Sequence, residues 1–398
     1  MASTGVDVAV MGGAGRVGLP LGIAFAKSGS IVVLYDRDES AVATINDGLM
    51  PFREHGAEPV LREVLASGTL AATTDPSSLG SSDAVVVVIG TPVDAHLNPD
   101  PWSVRSSLEE VSGHLRDGQL LVLRSTLFPG STALIEQLVS DNNLEIDVVF
   151  CPERISEGNA MAELFELPQI VGARTHRSKK RAEELFRRLT PEIVHLTPEE
   201  AELAKLFTNA WRYIKFATAN QLYMIANNYG LDYERIRQGL THGYERAKDL
   251  PRAGLTAGPC LFKDTIQLAA FNDNNFTLGN AAMMVNEGLP LYIVSRVERS
   301  IDLGSKTVGI LGMAFKAESD DIRSSLSYKL KRILRYRARR VLTTDPYVTV
   351  DPELVPLHAV LAESDLLIVG APHSVYAELK PNQPVIDIWN LMARGVRA

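Results

Sequence analysis

Seven short runs of apolar, largely β-branched residues punctuate the first half of the chain: VDVAVMG (6–12), IVVLYD (31–36), AVVVVIG (84–90), LLVLRS (120–125), DVVFCP (147–152), PQIVGA (168–173) and PEIVHL (191–196). Helical patterns separate them. Strands that read as near-continuous apolar runs are covered on both faces, so this alternation predicts a parallel sheet sandwiched between helices. The texture changes at TPEEAELAKLFTNAWRYIKFATANQLYMIANNYG (197–230). Thr197 suits an N-cap, Pro198 the first helical position, Glu199 and Glu200 the first turn, and Gly230 the stop, which predicts one long helix acting as a spine between domains. Helical patterns run on to about residue 303, broken by FNDNNFTLGN (271–280), and strand texture returns at 305–315, 339–345, 364–372 and 384–390.

The chain has 398 residues, 45% of them hydrophobic and 22% charged, as expected of a soluble globular protein of two or three domains. No apolar run approaches the roughly 20 residues of a membrane span, and the start MASTGVDVAVMGG has neither a basic segment nor a cleavage site, so a cytoplasmic protein is expected. The only cysteines, Cys151 and Cys260, are expected to be free thiols in such a compartment. A formal net charge of −8 argues against general nucleic-acid binding. Any phosphate ligand must be held locally, and no metal is expected.

GAGRVG (Gly13 to Gly18) follows the first strand and opens the helical LPLGIAFAKSG. Glycines there allow a tight turn and close approach of the backbone to a pyrophosphate, while the helix N-terminus adds amide donors. Such turns also arise for packing alone. Asp36 strengthens the functional reading, because it ends the next strand, 18 residues beyond Gly18, where a carboxylate binds ribose hydroxyls. The expected architecture is therefore α/β, with an N-terminal NAD-binding, Rossmann-like parallel-sheet domain over 1–196. A central all-helical domain over 197–303, carrying the spine helix, and a smaller C-terminal Rossmann-like α/β domain over 304–398 follow it. Asp36 would repel the extra phosphate of NADP and favours NAD, although Arg37 beside it pulls the other way.

GPCLFKDT (258–265) places Cys260 after a Gly-Pro step and at the start of a helical pattern. A free cysteine is most often a small buried apolar residue. A helix N-terminus and nearby Lys263 would instead favour the thiolate and make it a nucleophile. The residues by themselves leave both readings open.

Eight motifs in order resemble the UDP-glucose/GDP-mannose dehydrogenase family: GAGRVG, GTPVDAHLNPD (90–100), RSTLFPGST (124–132), CPERISEGNAMAEL (151–164), AELAKLFTNA (201–210), GPCLFKDT, LGMAFKAESDDIRSS (311–325) and TDPYV (344–348). The resemblance covers nearly the whole chain. It implies four-electron, NAD-dependent oxidation of a nucleotide sugar's primary alcohol to the uronic acid, through a thiohemiacetal and thioester on Cys260. It further implies that Lys205 and Asn209, four apart on one helical face, stabilise an oxyanion, and that Asp264 works with the lysine in removing the alcohol proton. Glu153 resembles the glutamate that activates the hydrolytic water, and Thr126 the threonine that holds that water or the nicotinamide. On the cofactor side the resemblance adds Arg16, Val17, Thr91, Glu157, Lys263 and Arg323 to Gly13, Gly15, Asp36 and Arg37. On the substrate side it implies Arg154, Ile155, Leu261, Phe315 and Lys316, with Arg246 reaching in from a neighbouring subunit. Plainer readings stand beside these: Lys205 and Asn209 as a solvated helix face, Asp264 as a first-turn carboxylate, Glu153 and Glu157 as loop carboxylates. A homodimer or a multiple of it is expected, with Leu206, Ile214, Leu222 and Ile225 lending apolar surface to the spine.

Three departures from the family bear on the ligands. Thr256-Ala257-Gly258-Pro259 replaces the usual Phe-Gly-Gly-Ser before the cysteine, Trp389-Asn390 stands where many members carry an arginine near the sugar, and Ala41 replaces an arginine near the adenine ribose. The sugar is left between UDP-glucose and UDP-N-acetylhexosamines, with GDP-mannose third. The competing functions are a two-electron dehydrogenase of the 6-phosphogluconate or 3-hydroxyacid type, which needs no such cysteine, and a nonenzymatic dinucleotide-binding sensor.

Overall fold

The computed structural model describes residues 5–91, 94, 100, 102–256, 258–393 and 395. Most of the PVDAHLNPD stretch and Ala257 of the segment before the cysteine lie outside the described residues. The chain forms two compact units, one running to Thr208 and the other from Asn209.

The first unit is built on eight strands: β1 Val6–Met11, β2 Val32–Tyr35, β3 Leu70–Thr73, β4 Ser82–Val87, β5 Leu120–Leu123, β6 Asp147–Phe150, β7 Gln169–Gly172 and β8 Ile193–Leu196. Their order is β3-β2-β1-β4-β5-β6-β7-β8. Period-two alternation divides each strand between two cores. Val8, Val10, Val86 and Val122 pack against the helix Gly18–Lys27 and its neighbours, while Ala9, Met11, Val85 and Leu123 face the other layer. The sheet departs from the expected all-parallel form at one junction, where β7 meets β6 antiparallel through Phe150 and Gly172, and β8 then runs parallel to β7. Sequence patterning is blind to this, because a buried strand reads as the same apolar run in either direction. Strand β3 was not foreseen at all: LAAT has small residues, and as an edge strand it leaves Ala71 exposed.

The spine runs Pro198–Asn228, as the sequence predicts. Its start is a reciprocal cap: the Thr197 amide donates to Glu200 Oε2 at 2.8 Å, and the Glu200 amide to Thr197 Oγ1 at 3.3 Å. The second unit continues with the helices Tyr233–Thr241, Leu261–Phe271 and Thr277–Val297. Between the last two, Asp273 and Asn274 adopt positive φ, which ends the first of them as the Asn-rich break suggests. Strands β9 Thr307–Leu311, β10 Arg340–Thr344, β11 Leu366–Val369 and β12 Val385–Ile386 form an all-parallel sheet in the order β10-β9-β11-β12. Among the described residues no helix is long and apolar enough to cross a membrane.

The two sheets repeat one device. After β1, the Gly12 amide donates to Tyr35 O at 2.9 Å, and the Ala14 amide to the carboxylate of Asp36 at 2.9 Å. After β9, the Gly312 amide donates to Thr344 O at 2.9 Å, and the Met313 and Ala314 amides to Asp345 Oδ2 at 2.7 and 3.0 Å. The second carboxylate also meets His373 Nε2 at 3.0 Å and is fully enclosed. Asp36 is only partly buried. A carboxylate left accessible can bind a ribose, whereas an enclosed one is committed to holding its own loop.

Candidate active site

In the glycine-rich turn the glycines divide by what surrounds them. A Cβ on Gly12 would lie 2.0 Å from Val88 O, and one on Gly18 2.2 Å from Gly12 O, so both are needed for the close strand–turn–helix packing. A Cβ on Gly15 would meet only Gly12 O, at 3.4 Å. Gly15 is exposed, and the helix that follows has Val17 as its N-cap with no side-chain cap. The turn is thus closed by protein on one side and open at Gly15, the form a pyrophosphate cradle requires. The donor set and Asp36 fit a dinucleotide. Gly12, which the motif omits, is the residue that the sequence reading missed here.

Several residues expected around the cofactor come together in this unit. Arg16 Nη1 pairs with Glu157 Oε1 at 2.9 Å and sits 5.0 Å over the Phe52 ring. Thr91 Oγ1 donates to Thr126 O at 2.8 Å. Arg37, by contrast, points away to an exposed ion pair with Glu110, a contact of little energetic weight. Glu54 was not foreseen; its buried carboxylate takes the amides of Gly158 and Ala160 at 2.8 and 2.7 Å and so fixes the loop after β6. Glu202 was likewise missed. It is buried in the spine and caps the helix Ser131–Asp141 through the amides of Gly130 and Thr132, at 2.7 and 2.8 Å.

At the ends of β5 and β6 lies a buried ionic cluster. Arg124 donates from Nε to Glu153 Oε2 at 2.8 Å and from Nη2 to the same oxygen, while Glu153 Oε1 accepts from the amides of Arg154 and Ile155 at 2.7 and 3.0 Å. Lys205 Nζ donates to the main-chain oxygen of Glu153. The Glu153 carboxylate, expected to activate a water, thus has its acceptor positions filled by four protein donors. Arg154 turns to Pro168 O, and burial holds its pKa below the usual value against the opposing charge of Glu153. Ile155 packs on the core.

The two cysteines, one in each unit, differ in burial. Cys260 is exposed and is the N-cap of the helix Leu261–Phe271, whose first turn carries Lys263 and Asp264. Cys151 takes the packing role instead: it is fully buried, and desolvation pushes its thiol up to about 12 against the charge of Arg124. Asp264 is enclosed; its Oδ2 accepts from Asn209 Nδ2, and its Oδ1 stands 3.3 Å from Lys263 Nζ. Leu261, expected near the sugar, instead puts its side chain in the helical core with Tyr213, Ala217 and Ala282, because position one of this helix faces inward. Phe315 lies where a Cβ on Gly258 would be 2.7 Å from its ring, so the turn before Cys260 packs on it. Lys316 Nζ is 5.8 Å from the same ring. Arg323 forks onto Asp321, with contacts from 2.6 to 3.0 Å. Arg246 is exposed in the turn Glu245–Ala247. Trp389, which replaces the family arginine, stacks where a Cβ on Gly254 would fall 2.2 Å from its ring. That puts it against the segment leading to the cysteine.

Comparison with known proteins agrees with this layout. Residues 6–190 match the NAD binding domain of the UDP-glucose/GDP-mannose dehydrogenase family, residues 199–288 its central domain and residues 309–394 its UDP binding domain. A UDP-N-acetyl-D-mannosamine dehydrogenase of Pyrococcus horikoshii is 29% identical over 98% of this chain and 93% of its own. Among solved structures, a UDP-D-ManNAc dehydrogenase from Pyrococcus horikoshii superposes with a TM-score of 0.90 at 27% identity, covering 97% of this chain and 96% of that one. A UDP-glucose dehydrogenase from Pyrobaculum islandicum gives 0.88 at 26%, covering 97% and 94%. Three domains of one family in sequence, on a fold shared nearly end to end with its members, mean that this chain belongs to the UDP-glucose/GDP-mannose dehydrogenase family of NAD-dependent oxidoreductases.

Proposed function

We propose that the protein oxidises the primary alcohol of a UDP-N-acetylhexosamine to the carboxylate in two successive steps at one site, with UDP-glucose as the second choice of sugar. The observation that carries this reading is the exposed Cys260 at a helix N-terminus beside Lys263 and Asp264, a setting that favours a nucleophilic thiol. The names of the relatives support the sugar class, since they act on UDP-N-acetyl-D-mannosamine or UDP-glucose.

In this reading Lys205 and Asn209 offer a cation and an amide donor to the alkoxide oxygen. Asp264, through water, relays the alcohol proton. The thiol of Cys260 adds to the aldehyde carbon to give a thiohemiacetal, whose oxidation leaves a thioester; water then cleaves the C–S bond, returning thiol and carboxylate. NAD, when bound, would supply the hydride acceptor for each oxidation, a second NAD taking the place of the NADH left by the first. Gly13, Gly15, Arg16, Val17, Asp36, Thr91, Thr126 and Glu157 would hold it, with Lys263 and Arg323, while Phe315, Lys316 and Arg154 would hold the sugar nucleotide.

A dimer goes with this reading. Of the four spine residues expected to lend apolar surface, Leu206 is wholly buried and Ile214 packs against the helical core, whereas Leu222 and Ile225 are exposed. Trp211, Tyr229, Leu231, Ile236 and Leu240 are exposed as well, more apolar surface than a helical segment leaves in water without a partner. Arg246, in the same unit, would then be free to serve a neighbouring subunit.

Incubating the purified protein with NAD and UDP-N-acetyl-D-mannosamine, UDP-glucose or GDP-mannose tests the reaction. Two NADH should appear for each uronate. One NADH with released aldehyde would refute it.

A further inference from the structure

Loops run over protein surfaces because a buried backbone amide needs a partner. The segment leading to Cys260 departs from this habit. Ala253 and Leu255 enter a core shared with Tyr223, Leu289 and Ile293, and they draw Gly254 inside with them. The Trp389 ring covers Gly254 on one side. Its amide donates to Asn220 Oδ1 at 2.9 Å. Asn220 is buried on the spine, and its Nδ2 donates to Asn286 Oδ1 at 2.9 Å. Asn286, wholly buried on the helix Thr277–Val297, donates from Nδ2 to Tyr213 O at 3.2 Å, back on the spine. The ends of this chain fix its sense. A carbonyl can only accept and an amide N–H can only donate, so the two carboxamides between Tyr213 O and the Gly254 amide satisfy both ends in one orientation. Turning either over would set donor against donor or oxygen against oxygen in a buried place, where an unmade bond is costly.

The same helix holds the far end of the segment, where Asn209 Nδ2 donates to Asp264 Oδ2. Asn209 and Asn220 are separated by close to three whole turns of the spine, so they share one face of it, about 16 Å apart. Cys260 lies in the stretch between these two fastenings, after Gly254 and before Asp264. We infer that Asn220 and Asn286 are positioning residues for Cys260: with Asn209 at the other end, they fasten the thiol-bearing segment to one face of the spine and so set where Sγ stands. The inference rests on the role proposed above for Cys260. It adds to that role the means by which a residue at the end of a loop is held with the precision that attack on an aldehyde carbon requires.

Asn220→Ala takes the acceptor from the buried Gly254 amide and cuts the link to Asn286. Two readouts separate the inference from a general loss of stability. The first needs no substrate: alkylation of the native protein with iodoacetamide at pH 8, followed by peptide mass spectrometry. Cys260 is already exposed, so loosening gains it no access and costs it the helix N-terminus; its alkylation should slow about tenfold. Cys151, buried in the first unit, should stay unmodified as in wild type. The second readout is stopped-flow formation of NADH with UDP-N-acetyl-D-mannosamine or UDP-glucose. The first hydride transfer does not use the thiol and should stay near the wild-type rate, while the second should slow about 100-fold, the scale of a reacting group misplaced by an ångström. A merely structural role would slow both alike. Val360→Ala, which truncates a wholly buried side chain in another core of the second unit, is the control: it should lower the melting temperature and leave both readouts unchanged. If Asn220→Ala does not fold, Asn286→Ala carries the test, since it keeps the acceptor for Gly254 and removes only the group that sets its sense; the second oxidation should then slow about tenfold, the scale of one hydrogen bond. Hydrogen exchange on the wild type needs no variant, and the Gly254 amide should be as protected as the amides of the helix Thr277–Val297. Equal slowing of both oxidations, unchanged Cys260 alkylation in Asn220→Ala, or a Gly254 amide that exchanges as a free loop does would each overturn the inference. If the wild type oxidises neither sugar nucleotide, the proposed activity fails, and alkylation and exchange still decide the positioning.

Discussion

His373 Nε2 and Asp345 Oδ2 lie 3.0 Å apart, both fully enclosed, and the Glu318 amide donates to the other ring nitrogen, Nδ1, at 3.0 Å. Nδ1 is therefore an acceptor, and Nε2 is the nitrogen that donates to the carboxylate. Burial alone would raise the Asp345 pKa, but the His373 bond and the amides of Tyr347 and Ala314 outweigh it and hold the group at about 2, against an ordinary 3.8. A depressed carboxylate contributes stability above its unfolded value and loses it as the pH falls through the folded one. The stabilisation, about 2 kcal/mol, should be complete above roughly pH 5 and vanish toward pH 2. Because Asp345 holds the Met313 and Ala314 amides, acid should loosen the loop that carries Phe315 and Lys316. Urea unfolding of wild type and Asp345→Asn should show a wide gap at pH 6 that narrows between pH 5 and pH 2.5. A gap independent of pH would contradict the assignment.

Gly12 and Gly15 should respond oppositely to alanine. Gly12 has φ +84°, and its Cβ would fall 2.0 Å from Val88 O, so Gly12→Ala should lose more than about 3 kcal/mol of stability or fail to fold. Gly15→Ala meets only one oxygen, at 3.4 Å, and should fold with a near-normal melting temperature. It should nevertheless bind NAD at least tenfold more weakly, since the added methyl occupies the open side of the cradle. Calorimetric titration with NAD on both variants separates the two roles; normal NAD affinity in Gly15→Ala would place the pyrophosphate elsewhere.

The layers of this fold were legible because they rest on local signals. Continuous apolar runs mark every strand except β3, and Thr197, Pro198 and Gly230 bracket the spine, which starts at Pro198 and ends two residues before Gly230. Strand direction was not legible, since the reversal at Phe150 and Gly172 depends on how a loop returns and not on composition. The same limit applies to the site. Residue types at motif positions pointed to Asp36, Cys260 and Asp264, yet nothing in RSTLFPGST or CPERISEGNAMAEL says that Arg124 and Glu153 grip each other across 29 positions. The inward turn of Leu261 and the outward turn of Arg37 toward Glu110 are likewise set by packing partners distant in sequence.

Assembly is open to a direct test. Ile225 lies in the last turn of the spine and Tyr229 just past its end, 50% and 80% exposed, and burying such side chains against a second copy is worth roughly 1.5–3 kcal/mol apiece. Light scattering at micromolar concentration should report a dimer or a multiple of it, and Ile225→Asp should shift the mass toward the monomer while leaving the helical signal intact. A monomeric wild type would remove both the interface and the role proposed for Arg246.

Cys260→Ser decides the chemistry. The thiol is exposed, so its replacement by a near-isosteric hydroxyl should change stability by less than about 0.5 kcal/mol. Serine at neutral pH is a far weaker nucleophile, and the oxygen ester it could form resists hydrolysis more than a thioester does. Steady-state uronate formation should therefore fall by several orders of magnitude, while NAD binding, which depends on Gly15 and Asp36 in the first unit, stays near wild type. Quenching single turnovers and weighing the protein should reveal either an adduct on the serine or a stall after the first oxidation. Alkylation supplies the control that needs no substrate: iodoacetamide at pH 8 should modify Cys260 in the native protein and leave Cys151 untouched until it unfolds, since burial pushes the Cys151 thiol to about 12. If native alkylation of Cys260 left uronate formation intact, or if Cys260→Ser turned over like wild type, the cysteine would have no covalent part in the reaction.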